Sequence, residues 1–201
     1  MCESLFPKKI FILTDSKKII KICKKYKINF VLTKKKILTG SDRIASVKNK
    51  LKSKVYINVQ GDEPIINPKD ILKIINLSKK NSKIVLNGYT QISPKEAEIA
   101  TLPKVIIDKN NYLIYMSRSL IPANYKNDKD KKYFKQVCIY AYPRAILEYF
   151  NNKKTPIEKS EDIEILRLIE NSVKVKMIKL SSTSFSIDVL DDYKKLKKLK
   201  G

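Results

Sequence analysis

The sequence predicts an α/β fold with a mostly parallel central sheet, and two patterns carry that prediction. Apolar runs rich in β-branched residues alternate with amphipathic segments of helical period through the first half of the chain, as expected of parallel sheets. The run 55–59 is apolar almost throughout, which is typical of a strand buried on both faces. It leads into Gly61, Asp62 and Glu63, and ligands of open α/β sheets bind beyond the carboxyl ends of their strands. This acidic turn is therefore the first candidate site, although an ordinary Gly-Asp turn explains the same pattern.

Each element is predicted from its local pattern and its boundary residues. Ser16 is a suitable N-cap for the first helix, Pro68 opens the third, and 108–111 connects the strands of a hairpin. Strands are predicted at 9–15, 29–33, 55–60, 83–88, 104–107, 113–116, 134–142 and 173–180, and helices at 16–26, from the turn 39–43 to 51, from 68 onward, 143–150, 158–170 and 191–200. No linker or internal repeat interrupts the 201 residues, so a single domain is expected.

Composition excludes several functional classes. The chain contains no histidine and three scattered cysteines, so neither a zinc site nor a histidine-based triad is expected, and a reducing cytoplasm is the simplest compartment. No apolar run is long enough for membrane insertion. The net charge of +23 comes mostly from lysines spread along the whole chain, so specific nucleic-acid binding is not expected. That charge instead favours small anionic substrates such as nucleotides and sugar acids.

Seven segments, taken in order along the chain, resemble one enzyme family. They are Thr14-Asp15 at a strand end, TGSDRIA at 39–45, NVQGDEPII at 58–66, PKVIIDKNNYLIYMSRSLIP at 103–122, CIYAYPRAI at 138–146, TPIEKSEDIEILR at 155–167 and SIDVLDDYKKL at 186–196. In these motifs the chain resembles the 3-deoxy-manno-octulosonate cytidylyltransferases, or CMP-Kdo synthetases. The resemblance implies a Rossmann-like nucleotide-diphospho-sugar transferase fold, in which a small β-rich lobe covers the sugar and supplies the contact of a homodimer.

The reaction implied by this resemblance joins the anomeric hydroxyl of a 3-deoxy-ulosonic acid, expected to be Kdo, to the α-phosphate of CTP. Pyrophosphate is released, and the product serves lipopolysaccharide or capsule biosynthesis. By resemblance, the catalytic Mg²⁺ ligands are Asp62 and Asp188, and Mg²⁺ indeed prefers few carboxylates plus phosphate and water oxygens. Asp188 taken alone is better interpreted as an N-cap of the last helix. The resemblance assigns the nucleotide to Thr39, Gly40, Ser41, Arg43, Gln60 and Gly61.

The same resemblance assigns the sugar acid to residues of the second half. Arg118 would pair with the carboxylate through its planar fork, although a surface arginine fits the spacing equally well. Tyr140 and Tyr142 would line the pocket, or they are simply half-buried neighbours on one face of a strand. Glu164 would meet sugar hydroxyls; otherwise it is a solvated helix charge whose natural i+3 partner is Arg167.

Three positions depart from the family pattern near this pocket. Gln136 stands where histidine is common, the usual Glu-Gln pair is Glu164-Ile165, and the segment 86–88 differs from the usual Ala-Thr-Leu. Glutamine hydrogen-bonds but carries no charge, so a related nonulosonic or amino-octulosonic acid is an alternative substrate.

The start of the chain departs further. The strand and phosphate loop with which family members open are missing before Met1, so we expect an N-terminally incomplete member that is weakly active or inactive alone. A non-catalytic remnant or a basic RNA-binding protein is the remaining alternative.

Overall fold

The computed structural model describes residues 10–181, 186–187, 190, 193–194 and 196–197, and strands alternate with helices in the first half of this part of the chain. The strands are β1 (Ile12–Thr14), β2 (Phe30–Leu32), β3 (Val55–Val59), β4 (Val85–Ile92), β5 (Lys104–Ile107), β6 (Leu113–Ser117), β7 (Tyr133–Pro143) and β8 (Val175–Lys179). The α-helices are α1 (Lys17–Lys25), α2 (Gly40–Leu51), α3 (Pro68–Lys80), α4 (Pro94–Ala97), α5 (Pro156–Glu161) and α6 (Leu166–Glu170), and a 3₁₀ helix covers Arg144–Tyr149.

The predicted α/β class is confirmed, but the strand directions differ from the mostly parallel sheet that we expected. The six-stranded sheet has the order β6-β5-β7-β4-β8, and β3 pairs with β7. Only β4 and β8 are parallel in it, because the long strand β7 runs antiparallel to β3, β4 and β5, and β5 and β6 form a hairpin. Strands β1 and β2 form a separate parallel pair.

Several predicted helices have different bounds in the structure. The helix expected at 158–170 is divided into α5 and α6, because Asp162 adopts a left-handed backbone conformation with φ 50° that ends α5. The segment expected as a helix at 143–150 is a 3₁₀ helix. The helix predicted at 191–200 lies largely outside the described residues.

Side chains of β7 alternate between two apolar layers, as period-2 geometry requires. Val137, Ile139 and Ala141 pack with α3 on one face of the sheet. Tyr140 and Tyr142 belong to the larger core on the other face, which includes residues of α2 and α6. The two tyrosine rings stack at 5.5 Å between centroids, so the predicted sharing of one face is confirmed, but both side chains are fully buried and not half-buried. This face of β7 forms the floor of the candidate site.

None of the helices in the described ranges is both long and apolar enough to cross a bilayer.

Candidate functional site

The first turn of α2 lies beside the carboxyl end of β3. Thr39 is the N-cap: its hydroxyl accepts a hydrogen bond from the Asp42 N–H at 3.1 Å and donates to the Asp42 carboxylate at 2.7 Å. A Cβ on Gly40 would lie 3.2 Å from Nε2 of Gln60, so glycine permits the close approach of the helix to β3. The structure therefore brings together Thr39, Gly40, Ser41 and Gln60, four of the six predicted nucleotide residues.

Glu164 joins this turn to the segment between α5 and α6. Its Oε2 accepts a hydrogen bond from the Ser41 N–H at 2.9 Å, and its Oε1 accepts from Gln60 Nε2 at 2.8 Å. The Ser41 hydroxyl lies 2.9 Å from Glu164 Oε1 and 2.8 Å from the Tyr142 phenol oxygen. Burial raises the pKa of Glu164 above its usual value, and the bonds from Ser41 offset this only in part. A residue predicted for the sugar thus contacts residues predicted for the nucleotide.

Arg167 is not the partner of Glu164, so that alternative was wrong. Its guanidinium lies instead between Asp42 and Glu158, with N–O distances of 2.7 Å to each carboxylate. All three side chains are almost fully buried. Burial favours the neutral form of Asp42, but hydrogen bonds from Arg167 and Thr39 outweigh it and hold the pKa of this carboxyl below its usual value. Asp42 and Glu158 were not singled out from the sequence, because neither has a local pattern that indicates burial.

Arg118 lies at the end of β6, where backbone carbonyls occupy most of its guanidinium. Nε donates to the Glu161 carbonyl at 2.7 Å and Nη2 to the Asp162 carbonyl at 3.1 Å, while Nη1 is 3.4 Å from the Thr101 carbonyl. The Arg118 N–H also donates to the Glu161 carboxylate at 2.8 Å. Burial opposes ionisation of Glu161, but bonds from the Arg118 N–H and from Ser117 and Tyr115 hold its pKa below the usual value.

Gln136 is buried on β7 and is held by Asn87 of β4. Its Nε2 donates to Asn87 Oδ1 at 2.9 Å, and Asn87 Nδ2 donates to the carbonyls of Val137 and Ile139. This contact lies where the register of the β4–β7 ladder shifts, between Asn87 and Gly88. Two of the segments that depart from the family pattern therefore touch each other.

Two buried polar atoms lack a hydrogen-bond partner among the described residues. They are Nδ2 of Asn58 and Oε2 of Glu63. Asn58 lies on β3 close to Gly40, and the other carboxylate oxygen of Glu63 accepts from the Cys138 N–H at 3.0 Å. Burial, followed by the nearby Glu63 carboxylate, raises the pKa of the Cys138 thiol. A polar residue inside the apolar run 55–59 was the sequence signal for Asn58.

The turn that follows β3 places Asp62 and Gly61 in solvent. The Asp62 carbonyl accepts a hydrogen bond from the Ile187 N–H at 2.9 Å, so the segment immediately before Asp188 reaches this turn. Asp188 itself lies outside the described residues. Arg43 instead bonds through Nη1 to the Thr33 hydroxyl and pairs with Asp15 at 3.7 Å. In the described ranges, no three acidic or cysteine side chains gather as a metal site.

Comparisons with known proteins point to one family. The sequence model described as "Cytidylyltransferase" matches residues 2–178. The 3-deoxy-manno-octulosonate cytidylyltransferase of Chloroherpeton thalassium is 32% identical over 193 residues, covering 94% of this chain and 78% of that protein. Its namesake from Fusobacterium nucleatum is 33% identical over 187 residues, covering 91% and 76%.

Solved structures agree with these sequence relatives. The structure of CMP:2-keto-3-deoxy-manno-octonic acid synthetase complexed with CTP matches with a TM-score of 0.87 and 26% identity, covering 96% of this chain and 80% of that one. A putative glucose-1-phosphate thymidylyltransferase from Bacillus anthracis, at 11% identity and a TM-score of 0.66, covers 94% and 75% and shares the fold alone. Since the family's model spans most of the sequence and relatives above 30% identity match nearly all of it, this chain belongs to the cytidylyltransferase family, among its 3-deoxy-manno-octulosonate members.

Proposed function

We propose that this chain transfers CMP from CTP to the anomeric hydroxyl of 3-deoxy-manno-octulosonate, with release of pyrophosphate. The observation that carries the proposal is the junction at Glu164, where a carboxylate of the α5–α6 segment meets Ser41 and Gln60 within 2.9 Å. Residues assigned to the two substrates by resemblance are therefore neighbours. A transfer between two bound substrates requires this adjacency.

The chemistry is a substitution at the α-phosphorus of CTP. The sugar hydroxyl releases its proton to solvent as its oxygen forms a bond to the α-phosphorus. The bond from this phosphorus to the oxygen that bridges to the β-phosphate breaks, and pyrophosphate leaves with that electron pair. The protein's task is to align the groups and to stabilise the developing charge. In this chain, the first turn of α2 presents the positive end of a 12-residue helix beside the end of β3. The unpartnered Nδ2 of Asn58 lies there as a buried donor that a bound nucleotide would satisfy.

Asp62 and Asp188 are the residues that would hold Mg²⁺. The fit rests on Asp62, which is exposed at the turn after β3, and on the carboxylate chemistry of both side chains. A bound Mg²⁺ neutralises phosphate charge when CTP is present, and few carboxylates suit this ion. Exposure of Asp62 leaves room for phosphate and water oxygens.

The sugar acid is assigned to the residues around β6 and β7. Arg118 contributes mainly its positive charge to recognition of the carboxylate, because most of its N–H groups already donate to backbone carbonyls. Gln136 is buried against Asn87, and Tyr140 and Tyr142 are fully buried in the core, so these three neutral residues support the sugar site from within the fold. We extend the proposal to a homodimer that acts in the cytoplasm and serves lipopolysaccharide or capsule biosynthesis. Sedimentation tests the dimer, and cell fractionation tests the compartment.

Product formation tests the proposal directly. The chain is incubated with CTP, Mg²⁺ and Kdo, and the CMP-Kdo formed is measured by mass spectrometry. Asp62→Asn should abolish product while leaving the fold intact. Asp108→Asn is the matched control, because its side chain serves the β5–β6 turn by accepting hydrogen bonds from Asn110 and Tyr112.

The outcomes separate the rivals. Mg²⁺-dependent product from Asp62→Asn would overturn the assignment of that ligand. Product with a nonulosonic or amino-octulosonic acid and none with Kdo would favour the substrate that the buried Gln136 leaves open. Absence of any CMP-sugar from a folded wild-type chain would overturn the proposed activity, and RNA binding that survives moderate salt would then point to the basic alternative.

A further inference from the structure

A fully buried group of three charges links the first turn of α2 to α5 and α6. Arg167 is 1% exposed, Asp42 3% and Glu158 0%. Arg167 Nε and Nη2 each donate to Glu158 at 2.7 Å. Nη1 and Nη2 donate to the two oxygens of Asp42 at 2.7 and 3.0 Å. The guanidinium also lies over the Phe150 ring at 5.1 Å from its centroid, so its orientation is fixed on every side.

These three residues belong to the elements that carry the candidate substrate contacts. Asp42 follows Ser41 directly in α2, and the α5–α6 segment holds Glu164 three residues before Arg167. The first turn of α2 is therefore held twice by the same segment, through Glu164 to Ser41 and through Arg167 to Asp42. A shift of this turn relative to α6 would change both contacts.

Stability alone does not explain this arrangement. Replacement of a buried ion pair or triad by well-packed apolar residues is often neutral or stabilising, because desolvation of the charges is costly. Paired, bidentate hydrogen bonds do fix orientation, which apolar contacts do less strictly. Two carboxylates around one guanidinium fix the position of Asp42 relative to Glu158 in both distance and angle.

We propose that Arg167 is a positioning residue, which sets the first turn of α2 against Glu164 so that the nucleotide and sugar sites keep the spacing needed for transfer. This inference rests on the proposed function for its catalytic consequence. The N–H groups of Arg167 donate to Glu158, Asp42 and the Tyr149 carbonyl, so none is left to bind a substrate.

Arg167→Lys and Asp42→Asn test the proposal against Arg144→Lys. Lysine keeps the charge but cannot bond to both carboxylates as the planar fork does. Asp42→Asn is the gentler change, because it leaves the Arg167–Glu158 pair intact. Arg144 is the matched control, because it holds the C-terminal end of α2, where its Nη2 donates to Asn49 at 2.8 Å. Glu164 contacts the opposite end of the same helix.

The first readout needs no activity. Amide hydrogen exchange at Ser41 should accelerate by at least about 10-fold in both test variants and stay unchanged in Arg144→Lys, because the bond from the Ser41 N–H to Glu164 loosens. The second readout is kinetic. In the test variants KM for CTP should rise, and kcat should fall by about 10- to 100-fold, as expected when a small shift of the protein misplaces the reacting groups. Loss of folded enzyme alone would lower the maximal rate and leave KM unchanged.

Unchanged Ser41 exchange in Asp42→Asn, or unchanged KM and kcat in an active, folded Arg167→Lys, would overturn the positioning role. If the wild-type chain makes no CMP-Kdo, the proposed function fails, yet the exchange experiment still decides whether Arg167 holds the turn. If Arg167→Lys does not fold, Asp42→Asn carries the same comparison with Arg144→Lys.

Discussion

Substitution of Arg118 distinguishes its structural role from its proposed role in sugar recognition. Two good hydrogen bonds join its guanidinium to the carbonyls of Glu161 and Asp162, at 2.7 and 3.1 Å, and so fasten the end of α5 to the end of β6. A lysine keeps the charge but cannot reproduce this fork. A hydrogen bond with a charged donor contributes about 1.5–3 kcal/mol. Because this residue is only partly buried, we expect Arg118→Lys to lose about 2 kcal/mol in total.

The assay combines unfolding with kinetics. A loss of about 2 kcal/mol lowers Tm by about 4–8 °C in a chain of this size. Arg118→Met should lose similar stability, since it lacks the same donors, but only the methionine variant removes the positive charge. We therefore expect KM for Kdo to rise by at least about 10-fold in Arg118→Met and by less in Arg118→Lys. An Arg118→Lys protein as stable as the wild type would refute the reasoning, because it would show that these carbonyl contacts do not hold α5 in solution.

Three further changes have expected outcomes. Glu161→Gln should be less stable than the wild type at neutral pH, because a carboxyl of lowered pKa stabilises the fold only while it is ionised. The difference in the free energy of unfolding should shrink as pH falls below 4.5, the ordinary pKa of a glutamate side chain. Urea titrations at several pH values measure this difference. Gly88→Ala should lower the free energy of unfolding by about 1–3 kcal/mol, since its Cβ would lie 2.4 Å from a methyl group of Leu180 and 3.3 Å from the Val137 carbonyl oxygen. An unchanged Tm would contradict this packing. Cys138 should react slowly with iodoacetamide at pH 8, because burial raises its thiol pKa. Peptide mass spectrometry gives the rate of alkylation, and a rate as fast as that of free cysteine would contradict the prediction.

Local periodicity predicted the elements that depend on local geometry. Alternation along β7 placed Tyr140 and Tyr142 on one face, and their rings stack there. Strand directions could not be predicted in the same way, because a strand has the same period whether its neighbours run parallel or antiparallel. The antiparallel position of β7 between β4, β5 and β3 depends on contacts between residues more than 30 positions apart.

The error over Arg167 has a clear physical cause. The i, i+3 rule applies to residues of one continuous helix. In this chain the left-handed Asp162 ends α5, and α6 begins at Leu166, so Glu164 lies between the helices. Its side chain is therefore free to meet Ser41, while Arg167 faces Glu158 and Asp42. The family motif gave the correct region for Glu164, but its partners follow from the break in the helix.

The carboxylates of the site divide into two groups by exposure. Asp42 and Glu158 are buried against Arg167, and Glu161 is held by donors from β6, so these acids build the framework. Asp62 is exposed at the turn beyond β3, and its carbonyl accepts the bond from the Ile187 N–H. Because charges at exposed positions contribute little to stability, we expect neutralisation of a framework acid to reduce the free energy of unfolding by more than Asp62→Asn does, whereas Asp62→Asn should change turnover. A large loss of stability in Asp62→Asn would place Asp62 in the framework and leave the metal site without its first ligand.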